Sequence, residues 1–133
     1  MKFRTESDTL GKVQIPMDSL WGPQTQRSIN NFKIGKEGSM PIEIIYAYAI
    51  LKKACAKSNY ELGTLEKAKM ELIVRACDEI IEGKHDKEFP LVIWQTGSGT
   101  QTNMNINEVI SNIAHILEGK KLSDSNKTLK TND

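Results

Sequence analysis

Residues 95–108 read QTGSGTQTNMNINE, a loop of glycine and hydroxyl residues that leads straight into a helix. Apolar residues recur beyond the loop at helical spacing, which predicts an amphipathic α-helix from about Gly99 or Thr100 to Glu118. Gly119 follows as a stop signal, and two lysines come directly after it. We therefore expect this loop to open the last helix of the chain.

The loop has the chemistry of an anion site. Gly97 and Gly99 let the backbone approach a ligand, and the hydroxyls of Ser98 and Thr100 lie beside the free N–H groups of the first helical turn. The helix end contributes about 0.3–1 kcal/mol to anion binding. Millimolar affinity needs about 4 kcal/mol, so other groups must contribute the remainder. The hypothesis that follows is a carboxylate bound at this loop.

The predicted helix has one polar and one apolar face. The polar face carries Thr100, Asn103, Asn107 and Ser111, and the apolar face carries Ile106, Val109, Ile110, Ile113 and Leu117. Neutral amides and hydroxyls hydrogen-bond a dianion without adding a competing charge. The same pattern also fits a purely structural role, in which Ser98 and Thr100 cap the helix and the asparagines face solvent.

Two further helices are predicted upstream. The first runs from Pro41 to about Ser58 with Ser39 as its cap, and the second runs from Thr64 to Gly83. Their recurring positions are Ile42, Ile45, Tyr46, Ala49, Ile50, Lys53 and Ala54 in the first helix and Leu65, Ala68, Leu72, Ala76 and Ile80 in the second. Because each helix has an apolar face, we expect the two to pack as a helical hairpin.

The remaining segments lack a helical period. Residues 1–40 are predicted to be an irregular arm, apart from a short helix from about Pro23 to Asn31. Residues 84–95 are predicted to be extended, and residues 120–133 form a polar tail that looks truncated. We interpret residues 1–133 as one mainly α domain, with the helical part at 41–119 between the arm and the tail.

Composition excludes several classes of protein. The chain has 133 residues and a net charge of +1, with 18 basic and 17 acidic residues mixed along it, so no large field attracts nucleic acid or an anionic membrane. No run approaches the roughly 20 apolar residues of a membrane span. Cys55 and Cys77 are too few for a disulfide framework and are expected to pack as small apolar residues. We expect a cytoplasmic protein.

Three blocks of sequence, in order, resemble class II fumarases of the fumarase/aspartase superfamily. The first is residues 4–8 with Gly11, the second is residues 21–28 with Asn31 and Phe32, and the third is WQTGSGTQTNMNINEVISN at residues 94–112. Aspartases of the same superfamily usually carry a GAGTS-like core where this chain has GSGTQ. The resemblance therefore favours fumarase over aspartase.

The resemblance implies the N-terminal domain of this fold, an irregular arm with about three to four helices placed before a central helical domain. It also implies a homotetramer whose active sites combine several subunits, with neither metal nor cofactor. Ser98, Gly99 and Thr100 would contact a carboxylate of fumarate or malate, with Asn103 and Asn107 supporting them. The family's Thr-His pair and its mobile serine loop are absent before Asp133, so no catalytic residue is expected here and the chain alone is expected to be inactive.

The family also has a second anion site at a His-Pro-Asn-Asp stretch. The residues aligned with it here are Lys130, Thr131, Asn132 and Asp133. Lys130 stands in place of the histidine and Thr131 in place of the proline, so only half of the pattern is kept. A lysine still attracts an anion as a point charge.

Other candidates have simpler interpretations. Arg27 is expected to pair with the acidic residues of the N-terminal arm, and Trp21 and Trp94 to anchor the core or an interface. His85 and His115 are not expected to be catalytic. Two alternatives to fumarase stay open, namely an aspartase-like ammonia lyase and a non-catalytic helical module that binds a dicarboxylate or a partner.

Overall fold

The computed structural model describes all 133 residues. The elements, in order, are β1 (Phe3–Asp8), β2 (Gly11–Pro16), α1 (Pro23–Asn31), α2 (Ile42–Glu61), α3 (Lys67–Ile81), a short 3₁₀ helix (Asp86–Glu88) and α4 (Thr100–Leu117). The prediction of a mainly α fold is confirmed. None of these helices is both long and apolar enough to cross a membrane.

Helix α4 lies at the centre of the core. Its apolar face is buried against α2 and α3 through Ile106, Val109, Ile110, Ile113 and Ala114. Leu117 lies at the margin of this core and is only partly buried. The predicted start and end of this helix agree with the structure to within about one residue, and Gly119 adopts the left-handed conformation that ends a helix (φ 76°).

Helices α2 and α3 form the predicted helical hairpin. Ile45, Ala49 and Ala56 of α2 are buried in the same core as Ala76 and Cys77 of α3. Burial raises the pKa of the Cys77 thiol to about 12, so this cysteine is an inert packing residue. The predicted confinement of both cysteines to the core is wrong for Cys55, which is exposed.

The predicted cap of the first of these helices and the predicted start of the second are wrong. Helix α2 begins at Ile42, and the hydroxyl of Ser39 instead accepts the N–H of Ile93 at 3.1 Å. Helix α3 begins only at Lys67, because the Thr64 hydroxyl donates to the carbonyl of Asn59 at 3.0 Å and so completes the end of the preceding helix. In both cases the hydroxyl binds a backbone group outside the helix that it was expected to begin.

The prediction of an irregular N-terminal arm is wrong for residues 3–16, which form an antiparallel hairpin. Strands β1 and β2 pair in a register that sets Arg4 opposite Ile15, and the two-residue turn places Asp8 opposite Gly11. The two inward positions are Arg4 and Ile15, which are 4% and 0% exposed. Because one of them is an arginine, the sequence lacks the apolar alternation that indicates a strand.

Arg4 holds the chain that follows the hairpin. Its guanidinium donates to the carbonyls of Pro16, Met17, Ser19 and Trp21 at 2.7–3.0 Å. It also pairs with the Glu6 carboxylate at 2.9 Å. A buried guanidinium needs acceptors for its donors, and here the irregular backbone supplies them.

Residues 84–95, which were predicted to be extended, contain no strand. They begin with a 3₁₀ helix, after which Phe89, Leu91 and Val92 are buried. Ile93 and Trp94 are 49% and 62% exposed, so Trp94 is not a core residue of this chain. The apolar run is therefore buried only in its first half.

A buried carboxylate joins α4 to the start of α1. Glu108 is 2% exposed, and its Oε1 accepts the N–H of Thr25 at 2.8 Å and the Thr25 hydroxyl at 3.0 Å. Thr25 lies in the first turn of α1, so Glu108 caps that helix from a distance. Gly22 packs so closely that a Cβ there would lie 1.9 Å from Oε2 of Glu108.

Gly22→Ala should destabilise the chain by about 1–3 kcal/mol, because the Glu108 carboxylate can move away from a methyl group only by giving up its bonds to Thr25. Gly97→Ala is the matched control, since a Cβ at that glycine meets no atom within 4 Å. Urea unfolding followed by circular dichroism measures both variants. Equal midpoints for the two would contradict the close packing of Gly22 against Glu108.

Burial raises the pKa of Glu108 from 4.5 to about 7, with the bonds from Thr25 opposing the shift. The folded chain thus retains a proton that the unfolded chain loses, and the free energy of unfolding should fall by about 3 kcal/mol as the pH rises through this window. Glu108→Gln should remove that part of the pH dependence, whereas the exposed Glu61→Gln should keep it. Urea titrations at several pH values test this, and parallel curves for wild type and Glu108→Gln would refute it.

Candidate functional site

A cavity of about 380 Å³ lies between α2, α4 and the C-terminal tail. Its polar lining comes from Lys52 and Asn59 of α2, Asn103 and Asn107 of α4, and residues 130–133 of the tail. Apolar side chains complete the walls, and Ile73 of α3 is among them. The structure thus brings the polar face predicted for the last helix against the residues predicted to form a second anion site.

Three contacts hold the tail beside this cavity. Leu129 is 3% exposed, and its carbonyl accepts the hydroxyl of Ser111 on α4. Asp133 then closes a turn by accepting the N–H of Lys130 at 2.7 Å, and it pairs with Lys69 of α3 at 3.1 Å. Although burial opposes the shift, these bonds lower the pKa of the Asp133 carboxyl. Residues 130–133 are therefore fixed against two helices.

The predicted loop residues lie outside this cavity. Ser98 and Thr100 are exposed, and Gly99 is the residue at the N-terminal cap of α4. Gly99 has a left-handed backbone (φ 74°), and no side chain caps the helix, so the alternative in which Ser98 and Thr100 serve as caps does not hold. Thr100 lies one helical turn before Asn103, which lines the cavity. We call residues 98–100 the lip.

The two asparagines of the predicted polar face do not simply face solvent. Asn103 and Asn107 are half-buried, and both line the cavity. Asn103 Oδ1 accepts a hydrogen bond from Lys52 Nζ at 2.6 Å, which leaves its amide N–H groups free to donate. Ser111 belongs to the same predicted face, but the structure buries it under the tail.

Two polar residues of the cavity, Lys52 and Asn59, were not predicted from the sequence. The buried positions of α2 are Ile45, Ala49 and Ala56, and Lys52 lies between the last two at helical spacing. The prediction placed Lys53 on the inward face, but Lys53 pairs with Asp78 of α3 at 2.5 Å. The signal in the sequence that indicates Lys52 is a lysine at a position of the helix that the apolar period assigns to the inward face.

The remaining candidates make contacts within the chain. Arg27 makes a two-point ion pair with Asp8 at 2.8 Å, as predicted, and this pair lowers the pKa of Asp8. His85 contacts Glu79 at 3.2 Å, and the ring of buried His115 contacts the carbonyl of Lys121. Trp21 is partly buried against the core, and its indole N–H donates to the Gln26 side chain.

Residues 11–133 match the protein-family model described as a lyase. The chain belongs to this lyase family. Among curated members, fumarate hydratase class II of Pasteurella multocida (strain Pm70) is 58% identical over 142 residues, which cover 100% of this chain and 31% of that protein. Fumarate hydratase class II of Bacillus subtilis (strain 168) is 52% identical over 133 residues, which cover 100% and 28%. The chain thus spans about 30% of the length of these relatives.

Solved structures of this lyase family have the same fold. Recombinant class II fumarase from Schistosoma mansoni matches with a TM-score of 0.92 and 43% identity, over 98% of this chain and 27% of that one. A fumarate lyase:delta crystallin from Brucella melitensis in native form matches with a TM-score of 0.83 and 41% identity, over 90% and 28%. The resemblance to class II fumarases is confirmed, and the helices and hairpin are those of the fumarase fold.

Proposed function

We propose that this chain is the N-terminal part of a fumarate hydratase, which adds water reversibly to fumarate to give (S)-malate. The observation that carries the proposal is the cavity in which Asn103 and Asn107 face residues 130–133, one turn from the lip formed by residues 98–100. The identity of the chain to class II fumarate hydratases over its whole length supports it. In this proposal the whole protein is a cytoplasmic homotetramer.

The residues of this chain bind the substrate carboxylates. Ser98, Gly99 and Thr100 supply hydroxyl and backbone donors at the start of α4, where the helix end also favours negative charge. Asn103 and Asn107 add neutral amide donors from the next turns, which strengthen binding without altering the charge of the substrate. Residues 130–133 form the opposite wall of the cavity that the two asparagines line.

Proton transfer is assigned to parts of the protein beyond this chain. In the malate-to-fumarate direction, a base removes the proton from the carbon next to one carboxylate, and that carboxylate takes up the electron pair as an aci-carboxylate. The double bond forms as hydroxide leaves the neighbouring carbon with help from an acid, so that water is the second product. Fixed donors around the carboxylate stabilise the developing charge. The 133-residue chain alone is therefore inactive in this proposal.

The natural polypeptide, with whatever sequence follows Asp133, should convert fumarate to malate and should release no ammonia from aspartate. Loss of fumarate absorbance measures the first reaction, and a coupled ammonia assay measures the second. Ammonia release without hydration would assign the chain to an aspartase-like lyase. If the natural chain stops at Asp133, binds fumarate and shows neither activity, a non-catalytic dicarboxylate-binding module takes the place of the enzyme.

Thr100→Ala in the same polypeptide should raise KM or lower kcat, with a loss of about tenfold in kcat/KM, because one donor to the substrate carboxylate disappears. Thr9→Ala is the control, since Thr9 lies in the exposed turn of the hairpin. Steady-state kinetics on both variants decide the matter. Kinetics of Thr100→Ala that equal those of the control would remove Thr100 from the site.

A further inference from the structure

Lys52 occupies a position that favours an apolar residue. It lies on the inward stripe of α2 between Ala49 and Ala56, both of which are buried. Burial lowers the pKa of its ammonium group, which records the loss of solvent around the charge. A partly buried lysine without a counter-charge lowers the free energy of unfolding. Packing alone therefore does not explain a lysine at this position.

No carboxylate of the chain pairs with this ammonium group. The ion pairs in this region are Lys53 with Asp78 and Lys69 with Asp133. The only hydrogen bond of the Lys52 ammonium group is donated to Oδ1 of Asn103 at 2.6 Å. An ammonium group has three donors, so two remain for a ligand in the cavity that Lys52 lines.

The charges around the cavity suit an anion. Besides Lys52, the charged residues that line it are Lys130 and Asp133. The Asp133 carboxylate is engaged by the N–H of Lys130 and by the ammonium group of Lys69, so its charge is compensated locally. Asn59, Asn103 and Asn107 add neutral groups to the same wall. The charge of Lys52 is therefore balanced by no carboxylate of the chain.

We propose that Lys52 is the charged anchor for one carboxylate of the dicarboxylate substrate. The proposal rests on the proposed function, in that it assigns a further residue to the same site. The ammonium group binds one carboxylate oxygen as a point charge, while its bond to Asn103 turns the amide N–H groups of that residue toward the other oxygen. The neutral asparagines alone would bind a dicarboxylate more weakly.

The test measures binding of succinate, a saturated dicarboxylate that undergoes neither hydration nor elimination, to the natural polypeptide by titration calorimetry. Lys52→Gln removes the charge but keeps a hydrogen-bond donor, and it should weaken binding at least about tenfold. Lys52→Arg keeps the charge and should retain most of the affinity. Lys57→Gln is the matched control, because Lys57 lies on the same helix but is exposed and outside the cavity.

The outcomes separate this proposal from the proposed function. Weak binding by Lys52→Gln with unchanged binding by Lys57→Gln supports the anchor, whichever reaction the polypeptide catalyses. Equal affinities of wild type and Lys52→Gln, or no succinate binding by the wild type, overturn it. Circular dichroism checks that both variants fold. If Lys52→Gln does not fold, succinate binding by the folded Lys52→Arg variant is measured at low and at high salt instead. Binding that is lost only at high salt supports a charged anchor, whereas binding that does not depend on salt overturns it.

Discussion

The fold depends on polar side chains that helix α4 carries into the interior. Asn105 donates to the carbonyl of Glu88, Glu108 accepts from Thr25, and Asn112 donates to the carbonyl of Leu20. Each bond satisfies a buried group on α4 together with a backbone group of another segment, namely the 3₁₀ helix, the first turn of α1 and the loop before α1. These three segments are thereby fixed to the one helix that lies at the centre of the core.

The same helix also determines the geometry of the proposed site. On one side its buried groups hold the N-terminal arm, and on the other Asn103 and Asn107 line the cavity beside α2. Ser111, one turn further on, holds the carbonyl of Leu129 and so fixes the start of the last residues of the tail. The wall of the proposed site is therefore built on the same helix as the core, whereas Ser98 and Thr100 before that helix are exposed.

Features that depend on local pattern were predicted well. Helix α4 was located to within about one residue because a sustained apolar period ends at a glycine. The pairing of Arg27 with the N-terminal arm was predicted because the arm carries the acidic residues Glu6 and Asp8, and the structure pairs Arg27 with Asp8. The hairpin was missed because its inward residue is Arg4, whose partners are backbone carbonyls that no alternation reveals. Lys52 was missed because the predicted inward face of α2 was centred on Lys53. Neighbouring residues of a helix are rotated by only about 100° about its axis, so either lysine fits the apolar period approximately.

The sequence by itself determined the helical class, the position of the loop of glycine and hydroxyl residues before α4 and the membership of the lyase family, because these follow from local periodicity and from contiguous residues. The tertiary structure decided which polar groups meet. Only packing brings Lys52, Asn103 and residues 130–133 to one cavity, and only packing leaves Lys52 without a carboxylate partner. The physical reason is that burial and hydrogen-bond satisfaction depend on segments that are far apart in the chain, whereas helical propensity depends on neighbours.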